Sequence, residues 1–428
     1  MMTKDQIMRV LMNQQSVSQP LGMPRHIDEK WLATRQVVVI SGVRRCGKSY
    51  LLRQIRERCD EQDYCFRFDD DRLVNFRIED FDLLDACLAE VYGQQHTYFF
   101  DEIQNIEGWE LYVRRLYNEG AKVFITGSNA RMLSREMGTH LAGIHLTVEL
   151  YPFSFAEYLG LKGIEVAATD FYTTAGTAKL SRELKTYMSK GGFPAYITGE
   201  PDEYVSSLYQ SIIYRDVLQR NNIANGHEVL ELMHFIASNS AKRHSYASLA
   251  KVIGVKHSDT IKSYLRYIEE TYLVAQLLKY SPSVKTQEAS IKKIYVIDNA
   301  IINIVGFNPT GNIGPLLENV VYTELRRRRK EVFYHGGTRE CDFIVRTGTT
   351  ITQFIQVTVT LENVQTRKRE VEGLMEAART YGTTDNVIIT LEQESFVSDD
   401  ENMRVIPAWK FLLESRDTSG ETRSIEMK

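Results

Sequence analysis

The residues Gly42-Val43-Arg44-Arg45-Cys46-Gly47-Lys48-Ser49 fit the spacing G-x-x-x-x-G-K-[ST]. That pattern suits phosphate. Gly42 and Gly47 let the backbone curl so that successive N–H groups point at phosphate oxygens. A helix starting at Lys48 adds its positive N-terminal end. Lys48 places a charge on the β- and γ-phosphates, and Ser49 offers a hydroxyl to Mg2+. The expected nucleotide contacts run from Gly42 through Val43, Arg44, Arg45, Cys46, Gly47, Lys48 and Ser49 to Tyr50. The expected ligand is ATP with Mg2+.

Two further segments carry matching chemistry. Thr97-Tyr-Phe-Phe-Asp101-Glu102 is an apolar run ending in two acids. Asp101 is expected to hold Mg2+, a hard ion that prefers oxygen ligands, together with Ser49. Glu102 is expected to activate the attacking water. Ile125-Thr-Gly-Ser128-Asn129 is a strand end with small polar residues, suited to sensing the γ-phosphate or the water. Ser128 and Asn129 are the candidates. Arg131 and Arg135 follow, either as charge-stabilising groups or as solvated cations.

These residues need a scaffold that brings strand ends together. Gln36–Ser41, Tyr64–Phe68, Thr97–Phe100, Lys122–Thr126 and His145–Leu150 are short apolar runs separated by helical stretches. Strands alternating with helices predict a parallel α/β sheet with helices on both faces. A helical lead-in over 1–30 places Met8, Leu11 and Met12 on one face, and a P-loop core is expected over 31–155. From 156 to 280 the pattern turns helical. Within it, Ser245–Gly254 and Ser258–Thr271 form two helices around a glycine turn, a helix-turn-helix or winged-helix unit. Ile261, Leu265 and Ile268 share its inner face. Strands return over 281–415 as a second α/β domain, and 416–428 is a polar tail expected to fray.

Composition narrows the class. Of 428 residues, 43% are hydrophobic and 25% charged, ordinary values for a globular protein. A net charge of −4 argues against a generally nucleic-acid-coating chain but leaves room for a local basic patch. The five cysteines include no CxxC pair, which predicts a reducing, cytoplasmic setting rather than a disulfide framework. No apolar run approaches the ~18 residues of a membrane span, so no membrane partner is expected.

Taken together, these segments resemble a prokaryotic family of AAA-type P-loop ATP-binding proteins, similar to archaeal ATPases, with a C-terminal domain of unknown function. The likeness rests on Gly42–Ser49, Phe100-Asp-Glu-Ile-Gln104 with Trp109, and Thr126-Gly-Ser-Asn129. It continues through Leu150–Tyr158, Gly191-Gly-Phe-Pro194, Tyr214-Arg-Asp216, Lys293–Asp298 and the Glu318 segment. The family pattern places an arginine after a glycine before the last core strand. Here the segment is Leu141-Ala-Gly-Ile144, so Ile144 removes that arginine.

In the last domain, Glu318 on a helix, Glu340 and Asp342 on one strand and Gln356 on the next look like a degenerate restriction-endonuclease-like core. Such chemistry gathers metal with carboxylates beside a lysine. Thr358 stands at the lysine position. Arg326-Arg-Arg-Arg-Lys330 either meets phosphates or closes a helix as solvated cations. Lys251, Lys256, Lys262 and Arg266 add basic character to the helix-turn-helix. The expected function is a Mg2+-dependent ATP-binding protein and ATPase. It would act as a switch or motor on DNA or a DNA-associated partner, with a homo-oligomer as one candidate assembly. Two alternatives stay open: a signalling or scaffold protein with little turnover, and a nuclease.

Overall fold

The computed structural model describes residues 1–18, 20–128, 141–307, 311–382, 385–394, 403–416 and 422–424. Two compact units divide the chain. The first comprises Met1–Tyr151 with Glu270–Tyr272, and the second Pro152–Glu269 with Leu273–Lys428. Among the described residues no helix is long and apolar enough to cross a membrane.

The first unit is built on five parallel strands: β1 (Val37–Ser41), β2 (Cys65–Arg67), β3 (Thr97–Asp101), β4 (Lys122–Gly127) and β5 (His145–Glu149). Their spatial order is β2-β3-β4-β1-β5. Val37–Ile40 and Phe99–Phe100 are wholly buried, because a parallel sheet is covered on both faces. One face packs an aromatic cluster in which Phe81 stacks on Tyr112 with ring centroids 4.0 Å apart. The lead-in helix Lys4–Ser16 starts at a capping box formed by Thr3 and Gln6. It buries Ile7, Val10 and Leu11, whereas Met12 is exposed. The expected Met8/Leu11/Met12 face is therefore rotated, because the isoleucine and valine fill the sheet-side space.

The strand order positions the chemistry. β4 lies between β1 and β3, with Ile40 opposite Thr126 and Phe100 opposite Ile125. The carboxyl ends of the three strands therefore place the glycine loop, Thr126 and Asp101 side by side.

The second unit opens with helices, among them Phe155–Leu161 and Thr174–Lys190. Asp202–Ser211 runs into a π-helical segment, Ile212–Gln219, that carries Tyr214, Arg215 and Asp216. Gly191 and Gly192 follow the long helix for a steric reason. A Cβ on Gly191 would lie 1.8 Å from an Asp298 carboxylate oxygen. The Gly192 N–H donates to that carboxylate at 2.7 Å. Two separate sequence segments thus meet at one buried acid.

A winged-helix arrangement follows: helix Gly226–Ser238, β6 (Arg243–His244), helices Tyr246–Ile253 and Ser258–Glu269, then β7 (Val274–Leu277) and β8 (Lys292–Val296). The sheet order is β6-β8-β7, all antiparallel. Gly254, at φ 77°, ends the first helix of the pair as its glycine cap. Ile261, Leu265 and Ile268 are buried as their spacing predicts.

The last sheet has the order β13-β12-β11-β10-β9, formed by β9 (Glu331–Gly336), β10 (Glu340–Thr347), β11 (Thr350–Thr358), β12 (Asn386–Thr390) and β13 (Met403–Pro407). β9, β10 and β11 are antiparallel, and β12 and β13 continue parallel to β11. Helix Gly314–Arg327 precedes the sheet, and helix Val364–Tyr381 crosses between β11 and β12. Glu414–Arg416 pairs antiparallel with Thr422–Ser424, and the rest of the polar tail, 417–421 and 425–428, lies outside the described residues.

Candidate functional site: a phosphate loop and two acids

The loop after β1 alternates backbone hand, with φ of 155° at Gly42, 66° at Arg45 and 104° at Gly47. Such alternation turns successive amides to one side and makes an anion-binding concavity. Gly42 admits no side chain, since its Cβ would lie 2.1 Å from the Leu150 carbonyl oxygen. The Cys46 thiol is buried and donates to the same carbonyl at 3.4 Å. Burial pushes that thiol's pKa up, so it stays a neutral packing group. With Val43 also buried, both residues offer a ligand only their backbone. Arg45 and Tyr50 are exposed.

Arg25 braces the loop from outside, donating to the Cys46 carbonyl at 3.3 Å and to Tyr151 at 3.0 Å. Gln54 on the helix Lys48–Arg56 ties down the same lead-in through Leu21, Met23 and the Arg25 N–H. Arg25 and Gln54 belong to no spaced pattern, so local reading missed them.

Inside the loop, Lys48 is 4% exposed. Its ammonium donates to the carbonyls of Gly42 at 3.2 Å and Val43 at 3.1 Å, and lies 3.9 Å from Glu102. The Ser49 hydroxyl donates to Asp101 at 3.0 Å. Thr126 is the hinge of the arrangement. Its hydroxyl donates to Asp101 at 2.5 Å and accepts from the Glu102 N–H at 2.9 Å. Burial pushes the Asp101 carboxyl's pKa up, and the bonds from Thr126 and Ser49 oppose that shift. Glu102 sits at φ 53°, a left-handed conformation that costs a non-glycine residue roughly 1 kcal/mol or more. That turn aims its carboxylate back over the loop. There Gln104 donates to it, and the Ser128 hydroxyl lies 3.4 Å from the same oxygen.

The predicted residues Lys48, Ser49, Asp101, Glu102 and Ser128 therefore converge. Asn129, Arg131 and Arg135 lie outside the described residues. Ile144 packs against the hydrophobic core of the unit rather than facing the loop. The donor set fits Mg-nucleotide: a concave run of amides and a buried ammonium for phosphate, with a hydroxyl and a carboxylate in contact for a hard cation. Thr126 lies in the Thr126-Gly-Ser-Asn129 segment, but its bridging role is not visible in that local pattern. Its signal is the strand order, which one sequence does not print.

The last sheet holds a second charged cluster, and it differs from expectation. Lys293, from β8 and 1% exposed, donates to Glu318 at 2.8 Å and Asp342 at 2.8 Å, and pairs with Glu340 at 2.6 Å. Burial pulls the ammonium's pKa down, but the charges of Asp342 and Glu318 outweigh it and hold Lys293 above the usual lysine range. Asp342 also accepts from the Val357 N–H at 2.9 Å. Gln356 accepts from the Asp342 N–H at 3.2 Å and donates to Glu370 at 2.6 Å. The acids expected to gather metal are thus spent on a lysine and on backbone. Among the described residues no group of three or more His, Cys, Asp or Glu side chains is arranged to hold a metal ion.

The basic run also turns inward. Arg327 pairs with Glu324 and donates to the Pro152 carbonyl at 3.0 Å. Arg328 bonds Glu324 at 2.7 Å and the Phe411 carbonyl at 2.6 Å.

The AAA domain family matches residues 34–159, and a domain of unknown function, DUF8612, matches residues 181–310. With the strand order and the loop, this defines an AAA-type P-loop ATPase domain and makes the chain a nucleotide-binding protein. The chain is 33% identical over 404 residues to the uncharacterized protein MJ1544 of Methanocaldococcus jannaschii, covering 89% of each, and belongs to the same family. An uncharacterized protein of Haemophilus influenzae is 28% identical over 330 residues, covering 72% of this chain and 79% of its own length. The match to the domain of unknown function covers the helical and winged-helix region and ends before the last sheet. Similar solved structures include the RuvB Holliday junction branch migration motor of Thermotoga maritima, at 16% identity and TM-score 0.27, covering 59% of this chain and 86% of that one. Cdc6p from Pyrobaculum aerophilum is 12% identical at TM-score 0.24, covering 67% and 96%.

Proposed function

We propose that the chain is a Mg2+-dependent ATPase that works as a nucleotide-driven switch or motor on DNA or a DNA-associated partner. One observation carries the reading: the continuous network from Ser49 through Asp101 and Thr126 to Glu102, facing Lys48. The loop amides and Lys48 would hold the β- and γ-phosphates. Ser49 and Asp101 would hold Mg2+, which when bound neutralises charge on the phosphate oxygens. Glu102 would orient a water and accept its proton, with Gln104 and Ser128 fixing the carboxylate.

A second reading, ATP binding that sets conformation with little turnover, is favoured by Ile144, whose side chain packs into the core. Phosphate release separates the two. Wild-type release roughly tenfold or more above Glu102→Gln, a barrier difference of about 1.4 kcal/mol, supports the ATPase. Equal release leaves the conformational reading. A nuclease is disfavoured, because Lys293 stands among the carboxylates where a metal would have to sit.

A further inference from the structure

We propose that the winged-helix arrangement is the duplex-DNA contact of this protein, with helix Ser258–Glu269 as its groove-entering element. The proposal deepens the DNA reading above and rests on it.

The helix is divided in two along its length. Ile261, Tyr264, Leu265 and Ile268 are buried, and Tyr264 donates to Glu228 at 2.8 Å. The opposite stripe, Ser258, Lys262 and Arg266, is exposed at i, i+4 spacing. Lys256 and His257 stand exposed at the turn before it, and Lys251 is exposed on the preceding helix. Lys251, Lys256 and Lys262 make no ion pair among the described residues. From Lys242 to Arg266 there are six lysines and arginines against one acid, Asp259, in a chain of net charge −4. Glu269, at the helix end, is turned away to Gln276, accepting at 2.9 and 3.0 Å.

Scale and chemistry then select the partner. A helix of 12 residues is about 18 Å long and about 10 Å wide, which fits a B-DNA major groove about 12 Å across. In such a placement Lys262 and Arg266 would reach the phosphates that line the groove, with the exposed Lys251 and Lys256 beside them, four cations in all. The competing candidate, the run Arg326–Lys330, is weaker because Arg327 and Arg328 are committed to Glu324 and to carbonyls. Arg329 is its exposed member.

The test is anisotropy of a fluorescent short duplex with the full ATP-loaded chain, titrated between about 50 and 200 mM salt. Four phosphate contacts give a log–log slope near −3.6, about −0.9 per contact. Lys262→Glu with Arg266→Glu is expected to weaken duplex binding at least tenfold and to flatten the slope by about two contacts. Lys262→Arg with Arg266→Lys should keep the affinity. Arg329→Glu should change it little, and ATP turnover without DNA should be equal in all of them. Binding that survives the double reversal overturns this surface while leaving DNA as the partner. Preference for single strands overturns the duplex assignment. No salt-sensitive binding to either form overturns the DNA reading itself.

Discussion

Replacing Thr126 by valine keeps the shape of a buried side chain and removes a single hydroxyl. That hydroxyl makes two bonds, to Asp101 at 2.5 Å and from the Glu102 N–H at 2.9 Å. Thr126 is fully buried, so no water replaces either bond. An orphaned buried N–H costs about 1–3 kcal/mol, and a bond to a charged group contributes about 1.5–3 kcal/mol. The sum, about 2.5–6 kcal/mol, divides between folding and the strained placement of Glu102. Glu102 holds its left-handed turn partly through that N–H bond. Thr126→Val is therefore expected to lower the Tm by several degrees and kcat by tenfold or more. Mg-free nucleotide affinity should change less than about threefold, because the loop amides and Lys48 do not touch Thr126. Thr126→Ser should restore most of both. The assay pairs steady-state phosphate release with nucleotide titration. A folded Thr126→Val protein with wild-type kcat would refute the claim that this hydroxyl positions the two acids.

Three further outcomes follow from the geometry. Gly42→Ala drives a Cβ to 2.1 Å from the Leu150 carbonyl, so the loop must open, and nucleotide affinity measured by titration should fall at least tenfold. Lys293→Met leaves Glu318, Glu340 and Asp342 together without their cation, and denaturant unfolding should show a loss of about 3–5 kcal/mol. Burial pushes the Asp298 carboxyl from 3.8 up to about 6, against bonds from the Ala300 and Gly192 N–H groups. The folded state then holds the proton more tightly than the unfolded chain. Its contribution is full below about pH 3.8 and is lost as pH rises through about 6, about 3 kcal/mol in all. Unfolding at about pH 4.5 and about pH 7.5, on either side of that loss, should show wild type losing stability relative to Asp298→Asn. A constant difference between the two proteins would contradict the assignment.

What was legible in the chain was local. The glycine loop, Asp101, Glu102 and Ser128 each sit beside an apolar run, and strand-end chemistry is written within a few residues. The helix pair of the winged helix was legible for the same reason, since its buried face and glycine cap follow helical spacing. What escaped depends on strands meeting across the fold. Thr126 joins Asp101 to Glu102 only because β4 lies between β1 and β3. Lys293 reaches Glu318 and Asp342 from 25 and 49 residues away, so Thr358 gave no hint of it. The arginine run looked like a surface patch because its charge is visible in sequence and its inward partners, Glu324, Pro152 and Phe411, are not. The short strands β12 and β13 were missed as well. β12 pairs parallel with β11 and β13 forms the sheet edge beyond it, but each has only five residues.

The central claim is that Lys48, Ser49 and Asp101 hold Mg-nucleotide in the loop after β1. Calorimetric titration of ATP into the wild-type chain and into Lys48→Ala, each with and without Mg2+, tests it most directly. Saturable one-site binding that Mg2+ strengthens is the expected result. Affinity should fall about ten- to a hundredfold in Lys48→Ala, matching one buried charged hydrogen-bonding group of about 1.5–3 kcal/mol. Wild-type protein that takes up no ATP, or a Lys48→Ala variant that binds it equally well, would rule out this loop as the nucleotide site.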